Sequence, residues 1–357
     1  MIKINKINFQ ILNQNNNRGD SRLEFNINSI NINYVIMNTI RRIILSEIPI
    51  YAFTNFTIEK NFSALNNDML KLRISNFPVW GIENNVNYIN TNIINNQINN
   101  DNINDNNINN NDDNKNDDED DEDDENDIDY NTNDTKNINK NIDISSFKQL
   151  TMYVNYKNKS KNIVSVNTDD IKFYYDRKIL ISPYKNNIPI TKLVTNKEII
   201  FTAITTINTE SVDTCYSAVS IVTYKQINEN NFNFILESRG QITEKRILIV
   251  AIVNIIRKIN DFYKNIKDKL NNDLSGIIEM DNENNTLGNL ILNGLQQHKN
   301  ISFAGYNLPH PLIDKIMIKY SIKKDNIKII IEDVVNYYIE LFEKIKKEFE
   351  TINNDTY

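Results

Sequence analysis

The sequence predicts an α+β protein made of two related units paired within one chain, the first of them interrupted by a mostly β insertion. Three observations carry that expectation. Apolar residues alternate with polar ones in many short runs, the period of half-buried strands. Other stretches repeat apolar residues at helical spacing, and the last of these steps by 3, 4, 3, 4, 3. Finally, Asn38-Thr39-Ile40-Arg41-Arg42-Ile43-Ile44-Leu45 aligns without gaps on Asn285-Thr286-Leu287-Gly288-Asn289-Leu290-Ile291-Leu292, 247 residues further on.

The elements follow in order. Ile2, Ile4, Ile7, Phe9 and Ile11 alternate, as do Leu23, Phe25 and Ile27, which predicts two strands around a turn at 15–20. Arg18-Gly19-Asp20 is read as part of that turn. A helix is expected over Tyr34–Glu47, with Val35, Ile36, Ile40, Ile43 and Ile44 on one side and Pro49 as its stop. Strands are expected at Phe53–Lys60, Leu150–Tyr156, Ile163–Val166, Ile199–Thr206, Val219–Lys225 and Phe232–Glu237. A long helix over about Thr243–Leu270 then carries Ile252, Ile255, Ile256, Ile259, Phe262, Ile266 and Leu270.

From there the plan repeats in shorter form. A strand at Gly276–Met280 leads to a helix at Thr286–His298, two strands at Ile301–Tyr306 and Lys315–Ile322, and a long last helix. That helix places Val335, Tyr338, Phe342, Ile345, Phe349 and Ile352 on a heptad seam suited to a partner helix. Each such side chain, once buried, contributes roughly 1.5–3 kcal/mol. Two units that each end in an apolar stripe are most simply satisfied by packing on one another. The residues expected at that pairing are Ile40, Ile44, Ile255, Ile259, Phe262, Leu287, Leu290, Val335, Tyr338, Phe342, Ile345 and Phe349.

Composition excludes several functions. The longest apolar run, Ile247–Val253, is seven residues, far short of the roughly 18 a membrane span needs. One cysteine and two histidines rule out a disulfide framework and a multi-cysteine metal site, and leave nucleophilic triads without material. These features, with an N-terminus that lacks an apolar leader, predict an intracellular protein without cofactor or metal. Seven glycines hardly supply a phosphate loop. Asp281-Asn282-Glu283-Asn284-Asn285 begins like a calcium loop, but Thr286 stands where the turn glycine belongs. His310, between two prolines, reads as a structural histidine. Residues 84–143 are mostly Asn, Asp and Ile, with nine consecutive acids from Asp117 to Glu125. Such a tract cannot bury enough apolar surface to order itself and is expected to be a disordered insertion. Thirteen acids and one lysine between Asp112 and Asp129 leave +5 for the rest of a chain whose net charge is −7. That excess is too small and scattered to predict direct DNA binding. An acidic chaperone-like interaction protein, built around Asp117–Glu125, is the rival reading, and an enzyme with an unfamiliar site is a second.

Several motifs together resemble the alpha-like subunits of RNA polymerases. Asn38-Thr39-Ile40-Arg41-Arg42-Ile43-Ile44-Leu45-Ser46-Glu47-Ile48-Pro49 is similar to that family's signature helix. Glu59-Lys60-Asn61-Phe62-Ser63-Ala64-Leu65, Leu72-Arg73-Ile74-Ser75-Asn76-Phe77-Pro78 and Glu237-Ser238-Arg239-Gly240 follow in the family's order. Asn285-Thr286-Leu287-Gly288-Asn289-Leu290 and Phe303-Ala304-Gly305-Tyr306-Asn307-Leu308-Pro309-His310-Pro311-Leu312 resemble the smaller alpha-like partner of eukaryotic and archaeal enzymes. The family's two subunits are separate chains; here they look fused, which with the A+T-rich residue usage suggests a large cytoplasmic DNA virus.

The resemblance implies a division of the chain. Residues 1–80 and 206–273 would form the larger alpha-like dimerisation domain, 81–205 an insert domain holding the Asn/Asp tract, and 274–357 the smaller alpha-like domain. It further implies a non-catalytic assembly subunit of a DNA-directed RNA polymerase that binds the second-largest and then the largest subunit beside a small zinc-bearing subunit. DNA would be met only through the complex, in a viral factory and in the virion. Arg41, Arg42, Glu47 and Arg73 are the implied large-subunit contacts, the two arginines turned outward with forks suited to carboxylates. The sequence departs from the family in three places. The inserted region has no cysteine for a metal loop, Leu72 stands where a histidine is expected, and Asn208–Thr214 lacks the family's glycines and histidine.

Overall fold

The computed structural model describes residues 4–17, 21–80, 149–175, 178–180, 182–184, 186–270, 273–281, 285–309, 315–324 and 326–354, with side chains to 351 at the C-terminal end. The Asn/Asp tract, Ile2, Arg18-Gly19-Asp20, His310 and the Ile352 side chain lie outside the described residues.

The first strands are β1 (Asn8–Asn15) and β2 (Arg22–Asn28), followed by helix α1 (Tyr34–Ser46) and strand β3 (Ile50–Asn61). Asn33 caps α1, its side-chain oxygen accepting from the N–H groups of Val35 and Ile36. The expected first strand therefore begins at Asn8, and Ile4 stands outside it. A short helix, α2 (Asn67–Ser75), was not legible in the sequence. It buries only Leu70 and Ile74, so no apolar stripe announces it.

Strands β4 (Leu150–Lys157), β5 (Val164–Asn167), β6 (Lys172–Tyr175), β7 (Lys178–Leu180), β8 (Pro189–Leu193) and β9 (Glu198–Asn208) follow. Of these, β6, β7 and β8 are not expected from the sequence; β6 buries one of its four residues and β7 none of its three. Strands β10 (Val219–Asn228) and β11 (Asn231–Ser238) form a hairpin that feeds helix α3 (Glu244–Ile266). Gly240, in the connection from β11 to α3, has φ 86°, a left-handed conformation that glycine adopts without strain. Helix α3 ends four residues before the Leu270 expected, although Leu270 is still buried. Strand β12 (Ser275–Asp281), helix α4 (Asn285–Gln297), strands β13 (Ile301–Asn307) and β14 (Lys315–Ile322) and helix α5 (Ile327–Asn354) complete the chain.

All described strand pairings are antiparallel. One sheet has the order β1-β2-β11-β10 and another β12-β14-β13. The second repeats the core of the first: the strand before the short helix lies against the last strand of the unit, and the hairpin partner of that strand is outermost. A third sheet, β3-β9-β4-β6-β7, and the pair β5-β8 are built from the middle of the chain. The chain is therefore α+β. No described helix is long and apolar enough to cross a membrane.

The core runs through these layers without a break. Helix α3 packs along α5, α1 packs on both α3 and α4, and α4 packs on α5. Helix α5, on which the seam was expected, runs along α3. It also reaches the first sheet, where Phe349 lies edge-on to Phe9 with ring centres 5.0 Å apart. Phe9 in turn stacks on Phe25 at 4.5 Å, and Phe25 on Phe234 at 5.1 Å.

Candidate functional site

The duplicated segments are brought face to face. Helix α1 carries the first copy and α4 the second, and Arg42 Nε donates to Thr286 Oγ1 across the junction at 2.7 Å. A second link uses the α1 cap: Asn33 Nδ2 donates to Asn293 Oδ1 on α4 at 3.1 Å. The same oxygen accepts from Tyr338 of α5 at 3.1 Å, so one amide ties three helices together. Asn31 Nδ2 donates to the Tyr337 hydroxyl at 3.3 Å.

Two glycines allow this closeness. A methyl group on Gly294 would lie 2.5 Å from Val334 Cγ1 and 2.7 Å from Tyr338 Cε2. One on Gly288 would lie 2.8 Å from Ile316 Cδ1 of β14. Helix α4 therefore sits on α5 at the first and on its own sheet at the second, each at a distance that a side chain would prevent. Counted from the first residue of each thirteen-residue helix, which sets the copies 251 residues apart and not the 247 of the sequence alignment, α1 carries Met37 and Ile43 where α4 carries Gly288 and Gly294.

The twelve residues expected at the pairing are all buried, none more than 4% exposed, and all belong to one continuous core. The four residues expected at an outer contact have more varied settings. Arg41 is half-buried, and its Nε and Nη2 both donate to Asn38 Oδ1, at 3.1 and 2.9 Å. Arg42 is exposed apart from its bond to Thr286. Glu47 pairs with Lys258 of α3 at 3.1 Å, and its backbone carbonyl accepts from Asn254 at 2.9 Å. Arg73 donates twice to the Pro189 carbonyl, at 3.2 and 2.8 Å. These four do not form one cluster. Arg41, Arg42 and Glu47 lie along α1, whereas Arg73 belongs to α2 beside β8.

Sequence reasoning missed Asn33, Asn293, Gly294 and Tyr337. Only Asn33 carried a local signal, as an asparagine directly before an apolar helix. Among the described residues no group of three or more His, Cys, Asp or Glu side chains could hold a metal ion. Cys215 is buried, and that burial, with Asp213 beside it, pushes its thiol up to about 12, so it is unreactive as a nucleophile near neutral pH.

Two sheets of similar strand order share one core, and the helices that carry the duplicated segment lie in contact. Residues 26–259 and residues 275–348 each match the RNA polymerase Rpb3/Rpb11 dimerisation domain, and the chain belongs to that family. A putative DNA-directed RNA polymerase subunit of Acanthamoeba polyphaga mimivirus is 25% identical over 344 residues, spanning 92% of this chain and 90% of the viral protein. The RNA polymerase subunit Rpo11 of Saccharolobus shibatae is 50% identical over 42 residues, 12% of this chain and 46% of its own length. A probable RPAC2 subunit of RNA polymerases I and III from Caenorhabditis briggsae is 36% identical over 70 residues, 20% of this chain and 44% of its own. Two matches to one dimerisation-domain family thus stand in tandem in one polypeptide.

Proposed function

We propose that this chain is the non-catalytic assembly platform of a viral DNA-directed RNA polymerase, an alpha-like heterodimer made intramolecular by fusion. Residues 1–80 and 206–273 act as the larger alpha-like unit, 274–357 as the smaller, and 81–205 as an insert domain. The observation that carries this reading is the shared core of α1, α3, α4 and α5, which joins helices from both family-matched regions. Fusion holds the two units at an effective concentration of roughly millimolar or more, so pairing does not depend on protein concentration.

The paired units nucleate the enzyme by binding the second-largest and then the largest subunit, with a small zinc-bearing subunit alongside. Arg41 and Arg42 lead the large-subunit contact because planar forks on an accessible helix face suit carboxylates. Glu47 and Arg73 belong to the same contact surface, and each of the four has an internal partner as well. The complex works in the viral factory and is carried in the virion.

The test is reconstitution from purified components. The full chain should form a stoichiometric complex with the second-largest subunit of the same polymerase and then recruit the largest. Replacing Arg41 and Arg42 together by alanine should weaken that capture while the chain stays folded. A full-length, folded chain that binds neither subunit would contradict the assembly reading.

A further inference from the structure

The first two sheets differ by one strand. Strand β2 precedes α1 and pairs with β11, and β1 covers its other side. Strand β12 precedes α4 and pairs with β14, but among the described residues no strand lies on its other side. The second sheet therefore stops where the first continues. The Ile322 N–H donates to the Leu274 carbonyl at 2.8 Å. By the alternation of an antiparallel ladder, Gly276, Ile278 and Met280 then bond to β14, while Ser275, Ile277 and Glu279 turn their N–H and C=O groups outward.

This edge is built like an inner strand. The other edges of the two sheets carry irregularities, between Ile11 and Asn13 on β1, Val219 and Ile221 on β10, and Ile301 and Phe303 on β13. Such bulges turn an edge away from further pairing. Strand β12 instead pairs with β14 through seven consecutive partners without a slip, as the inner strands β2 and β11 pair with each other. Leu274, at the start of this edge, is 64% exposed. A regular, open edge is a template for one more strand.

Charge selects the occupant. Glu279 and Asp281 stand exposed on the outward face of β12 and share Lys315, at 2.6 and 3.8 Å. A second copy of the chain would bring two more carboxylates to the same edge, which opposes self-pairing. Strand β1 shows the pattern that covers such an edge: Phe9 and Ile11 pack against the core, and Asn8 and Gln10 face solvent. We propose that β12 receives an extended segment of another protein as a fourth strand, antiparallel to it. That segment turns apolar residues toward the core and lysines or arginines outward. The site is separate from the outer contact of α1 and does not depend on the assembly reading.

Fluorescence anisotropy of a labelled peptide, titrated with the intact chain, provides the test. The peptide has the sequence of residues 4–15 with Asn8→Lys and Gln10→Lys, and its counterpart carries Asn8→Glu and Gln10→Glu. The lysine peptide should bind saturably and about tenfold more tightly than the glutamate one. Ile277→Pro deletes an outward N–H and no bond to β14, a position where edge strands accept proline, and should abolish binding. Glu279→Lys with Asp281→Lys leaves the backbone alone and should reverse the preference between the peptides. Should proline unfold the chain, that reversal alone decides. Either effect missing from a folded variant would overturn the strand site, as would a folded parent chain that binds neither peptide at millimolar concentration. A parent mass that light scattering shows halved by Ile277→Pro would overturn it in favour of a second copy.

Discussion

Arg42 of the first motif copy hydrogen-bonds Thr286 of the second at 2.7 Å, so a duplication visible in the sequence closes on itself in space. The contact is made between like elements, the helices that follow β2 and β12. It occurs where α1 and α4 meet, above a core completed by α3 and α5.

The amide of Asn293 should prove more important to this junction than its half-exposed position suggests. Asn33 donates to it while capping α1, and Tyr338 donates to it from α5. Asn33→Ala should cost about 0.5–2 kcal/mol for the lost cap alone. Asn293→Leu should cost more than Asn293→Asp, because the carboxylate keeps the acceptor and leucine strands three donors, Gln297 on the same helix being the third. Urea unfolding of the three variants would rank them.

Gly294 should tolerate no side chain. An added methyl group meets Val334 and Tyr338 well inside contact distance, and both neighbours are held in the core. Gly294→Ala should destabilise by about 1–3 kcal/mol through overpacking, despite alanine's better helix propensity. A thermal midpoint at or above that of the parent protein would mean that α4 and α5 can separate freely.

Alkaline pH should weaken the fold through groups that are buried neutral. Burial raises the Tyr51 hydroxyl and the Cys215 thiol to about 12, and lifts Tyr338 well above its ordinary 10.0. Their folded values exceed their unfolded ones, so the stability they contribute is complete below about pH 9. It is lost as pH rises from there toward 12. Tyr51→Phe should flatten that decline. It should also raise stability near neutrality by about 1 kcal/mol, since among the described residues the Tyr51 hydroxyl has no partner. Unfolding midpoints between pH 7 and 11 for both proteins would decide.

Much of this arrangement was legible because burial imposes a period. The stripes on α1, α3 and α5 are long enough for helical spacing to be unmistakable, and the seam from Val335 to Phe349 points directly at α3. The duplication surfaced because Ile40, Ile43 and Ile44 in one copy, and Leu287, Leu290 and Ile291 in the other, pack against the same core. Short elements left no such trace. Strand β7 has three residues and buries none of them, and α2 exposes Met69 and Leu72. The outer-site reading was legible only in part. Spacing turned Arg42 away from the core, but its bond to Thr286 depends on two helices lying next to each other, which no local pattern encodes. The same holds for Lys258 and Glu47, separated by more than two hundred residues.

The Asn/Asp tract should contribute little to the fold, on composition alone. A solvated acidic segment makes few contacts, and loop length costs little entropy. Deleting 85–143 should leave the melting temperature nearly unchanged by calorimetry. A fall of several degrees would mean that the tract packs against the protein.

The intramolecular pairing of two units is tested most directly by cutting the chain between them. Residues 1–273 and 274–357, co-expressed as separate polypeptides, should purify as a stable 1:1 pair, and each alone should aggregate or self-associate. Phe342→Asp with Phe349→Asp should abolish that pairing. Each substitution loses roughly 3–5 kcal/mol of packing and adds the burial of a charge, at two fully buried positions of which Phe349 lies against Phe9 and Phe25 of the first sheet. Light scattering coupled to size exclusion reads the result as one peak of combined mass for the parent pair and none for the double variant. Two fragments that each remain soluble, folded and monomeric, with no affinity for one another, would contradict the account at its centre.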